Sequence, residues 1–187
     1  MSEWDAETAV ADLKPERWQG LVWRIHSIRY DPTSVRGSEL SSGRYHRAPA
    51  QAPNGRVWPA LYTAIDMGTS IGEATRNVGS AGTAALKGRR LTELRVELGL
   101  VLDLREPERL GPTVDAMIED RDYSVPHEPT TTQQLALAAL DRGAEAILVP
   151  SATLIGANLI ILTDNLLSSS RIEVLRFIDP RLHAERR

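Results

Sequence analysis

Residues 146–162 carry no charge at all, and this stretch limits the possible folds more than any other part of the chain. A spanning helix needs roughly 20 predominantly apolar residues. Here Pro150, Ser151, Thr153, Gly156 and Asn158 interrupt the run. Short apolar segments bounded by turn residues read as buried strands, so the sequence predicts strands over 146–149 and 159–163 with a turn between them. A third strand over 171–178 closes the chain.

Upstream, the periodicity changes several times. Ala6, Ala9, Val10 and Leu13 recur at helical spacing within a lead-in of residues 1–19, and Gly20 opens the next element. Residues 21–26 alternate as a strand, with Leu21, Trp23 and Ile25 on one side and Val22, Arg24 and His26 on the other. Residues 30–54 have loop chemistry, rich in Ser, Gly, Pro and Arg, at a length that in compact domains often marks function. Residues 57–64 resume a strand in which Ala60, Tyr62 and Ala64 share a face. Asp66 then caps a helix whose buried stripe is Met67, Ile71, Ala74 and Val78. After a small-residue loop at 79–88, residues 91–98 alternate as a half-exposed strand that 100–104 extend or pair with. Residues 131–142 form a helix stopped by Gly143. The order strand, strand, helix, strand, helix, three strands is α+β, without the alternation of a doubly wound sheet. With 187 residues, no repeat and no shift of composition, one domain over 1–187 is expected.

Charge and cysteine content narrow the function. There are 25 acidic and 22 basic residues, a net charge of −3, which argues against a basic nucleic-acid-binding face. The absence of cysteine removes disulfides, thiolate metal sites and cysteine nucleophiles. His26, His46, His127 and His183 never fall at the i, i+4 spacing of a helical metal pair, so no metal site is expected. Met1-Ser2-Glu3-Trp4-Asp5 lacks the basic start and apolar core of a signal peptide, and a cytoplasmic protein is the expectation.

Two familiar motifs come close to matching. Gly79-Ser80-Ala81-Gly82 with Lys87-Gly88 lacks the Gly-Lys-Ser/Thr step of a phosphate loop. Gly68-Thr69-Ser70-Ile71-Gly72 fits the Gly-x-Ser-x-Gly nucleophile pattern, with His127 or His183 downstream as bases. That elbow belongs in a parallel strand–helix sheet, which this chain lacks.

Five short blocks fit a different pattern. They are Trp23-Arg24; Ser42-Gly43-Arg44-Tyr45-His46; Ala60-Leu61-Tyr62-Thr63-Ala64; Gly72-Glu73-Ala74; and Val149-Pro150-Ser151-Ala152 with Gly156-Ala157-Asn158-Leu159. In this order and on these elements, spanning residues 21 to about 165, they resemble the RES-domain family, bacterial toxins named for an Arg, a Glu and a Ser. The second block departs most from the family's Gly-Gly-Arg-Trp-Asn, with Ser42 for Gly, Tyr45 for Trp and His46 for Asn.

The resemblance implies a fold similar to ADP-ribosyltransferase toxins, a mixed, mainly antiparallel β core with flanking helices. It also implies cleavage of the nicotinamide–ribose bond of NAD, which would be a substrate and not a bound prosthetic group. ADP-ribose would pass to water, phosphate or a protein side chain. A cognate antitoxin that blocks the cleft is the implied partner, with no direct nucleic-acid or membrane binding.

The residue types suit that chemistry. A carboxylate, Glu73, can stabilise an oxocarbenium-like ribose. The planar forks of Arg24 and Arg44 suit a pyrophosphate. Tyr62 offers a flat ring and a hydroxyl, Ser151 a hydrogen bond to carboxamide or ribose, and Asn158 a further ligand contact. Each residue also has a plainer reading. Ser70-x-x-Glu73 matches a capping box if the helix starts nearer Ile71. Arg44 reads as a solvated loop charge, Arg24 as an ordinary cross-strand partner, Tyr62 as a half-buried sheet aromatic and Ser151 as a strand-ending turn residue. A catalytically silent module that binds NAD or a partner is the alternative from another class, and an unrelated α+β structural protein is a third.

Overall fold

The computed structural model describes residues 4–76, 84, 86–112, 114–118, 121–153 and 155–184. Its elements are α1 (Ala6–Ala11), β1 (Glu16–Ser27), α2 (Arg36–Leu40), β2 (Leu61–Ala64), α3 (Met67–Arg76) and β3 (Arg89–Asp103). They continue with α4 (Val114–Ile118), α5 (Thr131–Asp141), β4 (Ala146–Pro150), β5 (Ala157–Ile161), β6 (Arg171–Ile178) and α6 (Arg181–Ala184). The mixed α+β reading holds. Among the described residues no helix is long and apolar enough to cross a membrane, and the uncharged stretch supplies the antiparallel pair β4 and β5.

The sheet order is β1-β2-β5-β4-β3, and β3 pairs back onto β1, so five strands close into a barrel; β6 adds to β3 outside the ring. All pairings are antiparallel except β3–β4. Closure depends on the length of β3. One edge runs along β1 from Arg89 to Val101, while the other serves β6 over Leu91–Glu97 and β4 over Val101–Asp103. β1 turns its second edge to β2 at Trp23–Ala64.

Alternation along these strands makes two cores. Val22, Leu61, Leu94, Val96, Leu148, Leu159 and Ile161 pack together on the inner face. On the other face Ala60, Ile147, Val149 and Ile160 pack against Val10 of α1 and Leu135 and Ala139 of α5. Each buried Val, Leu or Ile among them contributes about 1.5–3 kcal/mol of hydrophobic stabilisation. α5 starts at a capping box, with Thr130 and Gln133 bonding each other's backbone N–H, and ends before Gly143 at φ +78°.

Several boundaries differ from those expected. The lead-in is helical only over α1, and β1 begins at Glu16, because its N-terminal half gains a partner in β3. Gly20 lies inside β1, where the ring of Trp18 crosses its Cα and a Cβ would sit 3.1 Å from that ring. Of the two options for 100–104, extension holds: residues 91–103 run within the single strand β3, and Glu93 on it is buried against Arg176 of β6. β2 is shorter than 57–64, since Trp58 instead bridges Arg47 of the preceding loop. That loop contains α2 and a 3-10 turn at Pro49–Gln51. Val78 and the 79–82 segment lie outside the described residues.

Glu145 ties the barrel's lower end. Fully buried before β4, it accepts hydrogen bonds from Gly99 N–H (2.6 Å) and Leu100 N–H (2.9 Å) on one oxygen. The other oxygen takes Leu167 N–H and the Ser170 hydroxyl. Burial opposes its charge, but these donors outweigh it and hold the carboxyl below the ordinary carboxylate range. Glu145→Ala leaves several buried N–H groups unpaired and is expected to cost about 3 kcal/mol in urea unfolding at pH 7. Because the folded pKa is depressed, this contribution is full above the unfolded carboxyl value and is lost as pH falls through the folded one. The gap between wild type and variant should therefore close in acid.

Candidate active site

The turn after β4 meets the first half of α3. Gly156 has φ +73°, and a Cβ there would lie 2.1 Å from Thr69 Oγ1 and 2.5 Å from Asp66 Oδ2. Gly72 faces Thr153, whose methyl would be 3.0 Å from an added Cβ. Thr69 Oγ1 donates to the Ile155 carbonyl. These close approaches seat α3 on the β4–β5 turn and bring Glu73 to the strand ends. Asp66 caps the helix through Thr69 N–H (2.8 Å), as expected from the sequence.

Glu73 is therefore not a capping residue. Its Oε1 accepts three hydrogen bonds, from Ser151 Oγ (2.7 Å), Ala152 N–H (2.8 Å) and Asn158 Nδ2 (2.7 Å). Its Oε2 makes no hydrogen bond among the described residues, and Glu73 lines a cavity of about 360 Å³ with Trp23, Arg44, Tyr62, Tyr123 and Asn158. The protein holds one oxygen and leaves the other for a ligand.

Ser151 and Asn158 take a different part from the one expected. Ser151 is 1% exposed, donates its only proton to Glu73 and accepts Thr153 N–H. It has no proton left for a ligand. Asn158 lines the cavity and gives one amide N–H to the same carboxylate oxygen, which leaves its second N–H and its carbonyl oxygen uncommitted to Glu73. Both position Glu73.

Tyr62 is held just as firmly. Its hydroxyl accepts Tyr45 N–H (2.8 Å) and lies 2.9 Å from His46 Nδ1. His46 Nε2 lies 2.7 Å from the Ser41 carbonyl, which can only accept, so Nε2 carries the proton and Nδ1 accepts from Tyr62. Burial pushes the His46 imidazole down to about 4 and the Tyr62 phenol well up, so both stay neutral near pH 7. The Tyr62 ring remains at the cavity. His46, where the family pattern has Asn, thus serves as an acceptor, and Gly43 makes room for it: a Cβ there would meet His46 Cε1 at 2.5 Å and the Tyr62 hydroxyl at 3.2 Å. Ser42 knots the same loop, taking Gln51 Oε1 on its N–H and donor Ala48 N–H on its hydroxyl.

The two arginines differ. Arg24 gives Nη1 to the Tyr62 carbonyl (3.0 Å) and Nη2 to the Ser34 carbonyl (3.1 Å), tying β1 to β2 and to the following loop. Its Nε is buried without a partner, and burial lowers the guanidinium to about 10. The Arg44 carbonyl accepts from the Thr132 hydroxyl (2.6 Å), but its guanidinium makes no hydrogen bond or ion pair among the described residues, and its Nε is likewise buried and unpartnered.

Other candidates fall away. Ser70 lies within α3 rather than on a strand-to-helix elbow, and His127 has its ring nitrogens on Val125 O and Gln133 Oε1. The His183 side chain lies outside the described residues. His26 bonds Thr92 and Ser27 and is not at the cavity. Conversely, Arg89, Arg121 and Tyr123 line the cavity although no sequence motif marked them.

The mixed barrel has a counterpart of known structure. A chain of the crystal structure of the M. tuberculosis MbcT-MbcA toxin-antitoxin complex superimposes with a TM-score of 0.74 at 22% identity, covering 96% of this chain and 95% of that one. The model of the RES domain matches residues 21–180, and the chain belongs to that family. No curated protein matches it by sequence.

The buried His46 yields a pH signature. Unfolded, it titrates near the ordinary 6.5; folded, at about 4. Its share of stability is intact above pH 6.5 and falls away between 6.5 and 4, by up to about 3 kcal/mol at about 1.4 kcal/mol per unit. Urea unfolding from pH 7 to 4 should show this slope in wild type and a smaller one in His46→Asn. Gly43→Ala is expected to displace the His46–Tyr62 pair and change the near-ultraviolet dichroism of the tyrosines.

Proposed function

We propose that this chain is the toxin enzyme of a toxin–antitoxin pair and that it breaks the nicotinamide–ribose bond of NAD in the cavity beside Glu73. The observation that carries the reading is the asymmetry of Glu73, one oxygen held by three donors and the other left open at the cavity. Membership of the RES-domain family and the likeness to a toxin–antitoxin complex support it.

As the bond from nicotinamide N1 to ribose C1′ breaks, its electron pair stays on the ring nitrogen and nicotinamide leaves neutral. Positive charge develops on the ribose. A carboxylate already oriented by buried donors stabilises that charge without reorganising. The open oxygen of Glu73 faces the ribose or one of its hydroxyls, the Tyr62 ring packs on nicotinamide or ribose, and Arg44 takes phosphate oxygens. Arg24 holds the β1–β2 wall and adds an uncompensated charge. Water or inorganic phosphate then bonds to C1′ and releases its proton, which depletes NAD. The ADP-ribosyltransferase-like character of the fold is part of the same proposal, and transfer of ADP-ribose to a protein is its second form. The proposed antitoxin partner acts by covering this cavity.

The test is nicotinamide release from NAD by the purified chain, with and without phosphate. Glu73→Gln keeps a carbonyl oxygen for Ser151, Ala152 and Asn158 but removes the charge, and is expected to lower turnover by about 10²-fold or more with unchanged melting. Equal turnover by folded wild type and variant overturns the role of Glu73. A protein whose intact mass rises by one ADP-ribose favours transfer over depletion. Binding of NAD with no turnover under any of these conditions points to a silent module.

A further inference from the structure

The cavity is small for the substrate proposed. At about 360 Å³ it lies near the lower bound of small-molecule sites, and a dinucleotide outgrows it. With nicotinamide and its ribose beside Glu73, the adenosine side must lie over the mouth.

The mouth carries an unusual charge balance. Four arginines line the cavity, Arg24, Arg44, Arg89 and Arg121, against a single acid, Glu73. Several arginines elsewhere on the described surface pair with a carboxylate, as in Arg95–Glu173, Arg105–Asp103, Arg109–Glu106 and Arg181–Asp179, whereas the scattered Arg17, Arg29 and Arg36 do not. Arg44, Arg89 and Arg121 have no such carboxylate among the described residues, and Arg89 and Arg121 are exposed. Converging cations without counter-charges suit an anion that arrives with the ligand.

Tyr123 stands two residues from Arg121, on a segment braced from beneath. Gln51 donates to the Ser124 carbonyl and the buried Arg47 to the His127 carbonyl, while the Tyr123 and His127 rings meet edge to face with centroids 5.6 Å apart. Both Gln51 and Arg47 are 7% exposed. The segment is a fixed wall, so an aromatic ring is pre-positioned at the mouth at little ordering cost.

Resting on the NAD reading above, we infer that Arg121 and Tyr123 are the specificity residues for the outer half of the dinucleotide. Tyr123 stacks on the purine, and Arg121, with Arg89, neutralises the diphosphate. They recognise an adenosine diphosphate moiety and take no part in bond cleavage.

ADP, which lacks the reacting end, tests this apart from activity. Calorimetry is expected to show ADP binding to the wild-type chain, weakened about tenfold or more in Arg121→Ala and in Tyr123→Ala but kept in Tyr123→Phe. In nicotinamide release the two alanine variants should raise KM for NAD by a similar factor with kcat within about twofold, and leave cleavage of nicotinamide riboside, which carries no phosphate, unchanged. No ADP binding by wild type, or equal affinity in folded variants, overturns the inference. Loss of riboside cleavage in the variants also overturns it, by moving these residues to the reacting end. If ADP binds through Arg121 and Tyr123 while no nicotinamide is released, recognition stands and the cleavage reading falls.

Discussion

The ladder between β1 and β3 is the constraint on which the rest of the structure depends. A sheet of five strands left open would expose two edges and an inner apolar face; pairing β3 back onto β1 removes those edges and encloses Leu94, Val96, Leu148 and Leu159. β3 can do this because its two halves use different neighbours on the far edge, β6 and then β4. Closure fixes where the β4–β5 turn and the end of β2 come together, and that is where the cavity lies.

Local packing then converts a scaffold into a site. α3 approaches the turn closely only because positions 72 and 156 have no side chain. The short approach lets a residue in the second turn of a helix reach buried donors at two strand ends. A carboxylate in bulk water has its lone pairs solvated equally; Glu73 has its lone pairs divided, three donors on one oxygen and none on the other. Tyr62 is fixed by the same logic, its hydroxyl committed to Tyr45 and His46 so that its ring cannot swing from the cavity. The substitution of His for Asn in the family loop costs nothing in polarity, since a neutral imidazole also supplies one acceptor and one donor.

The sequence reading was strongest where periodicity and capping chemistry act locally. The apolar run with its interrupting Pro and Gly became a buried hairpin, Asp66 capped α3, and Gly143 ended α5. It was weakest where pairing decides the structure: the start of β1, the continuity of β3 and the shortness of β2 each follow from which neighbour is available, information that alternation within one segment does not carry. For the site, the ordered blocks brought forward Glu73, Arg44 and Tyr62, and the structure gathers all three. That Ser151 and Asn158 both donate to Glu73 was not legible, because a residue type says what it can bond and not which acceptor lies nearest.

By itself, then, the sequence determined the α+β character, the helix limits set by caps and glycines, and the ordered residues of the RES pattern, since these depend on neighbours within a few positions. Only the tertiary structure decided that the sheet closes, that Glu73 keeps one oxygen free, that His46 locks Tyr62, and that Arg121 and Tyr123 face the same cavity. These properties rest on contacts such as the hydrogen bonds to the Tyr62 hydroxyl and the Glu73 carboxylate, which join residues from 16 to 85 positions apart in the chain. Their energies come from burial and hydrogen bonds that exist only once the barrel has formed.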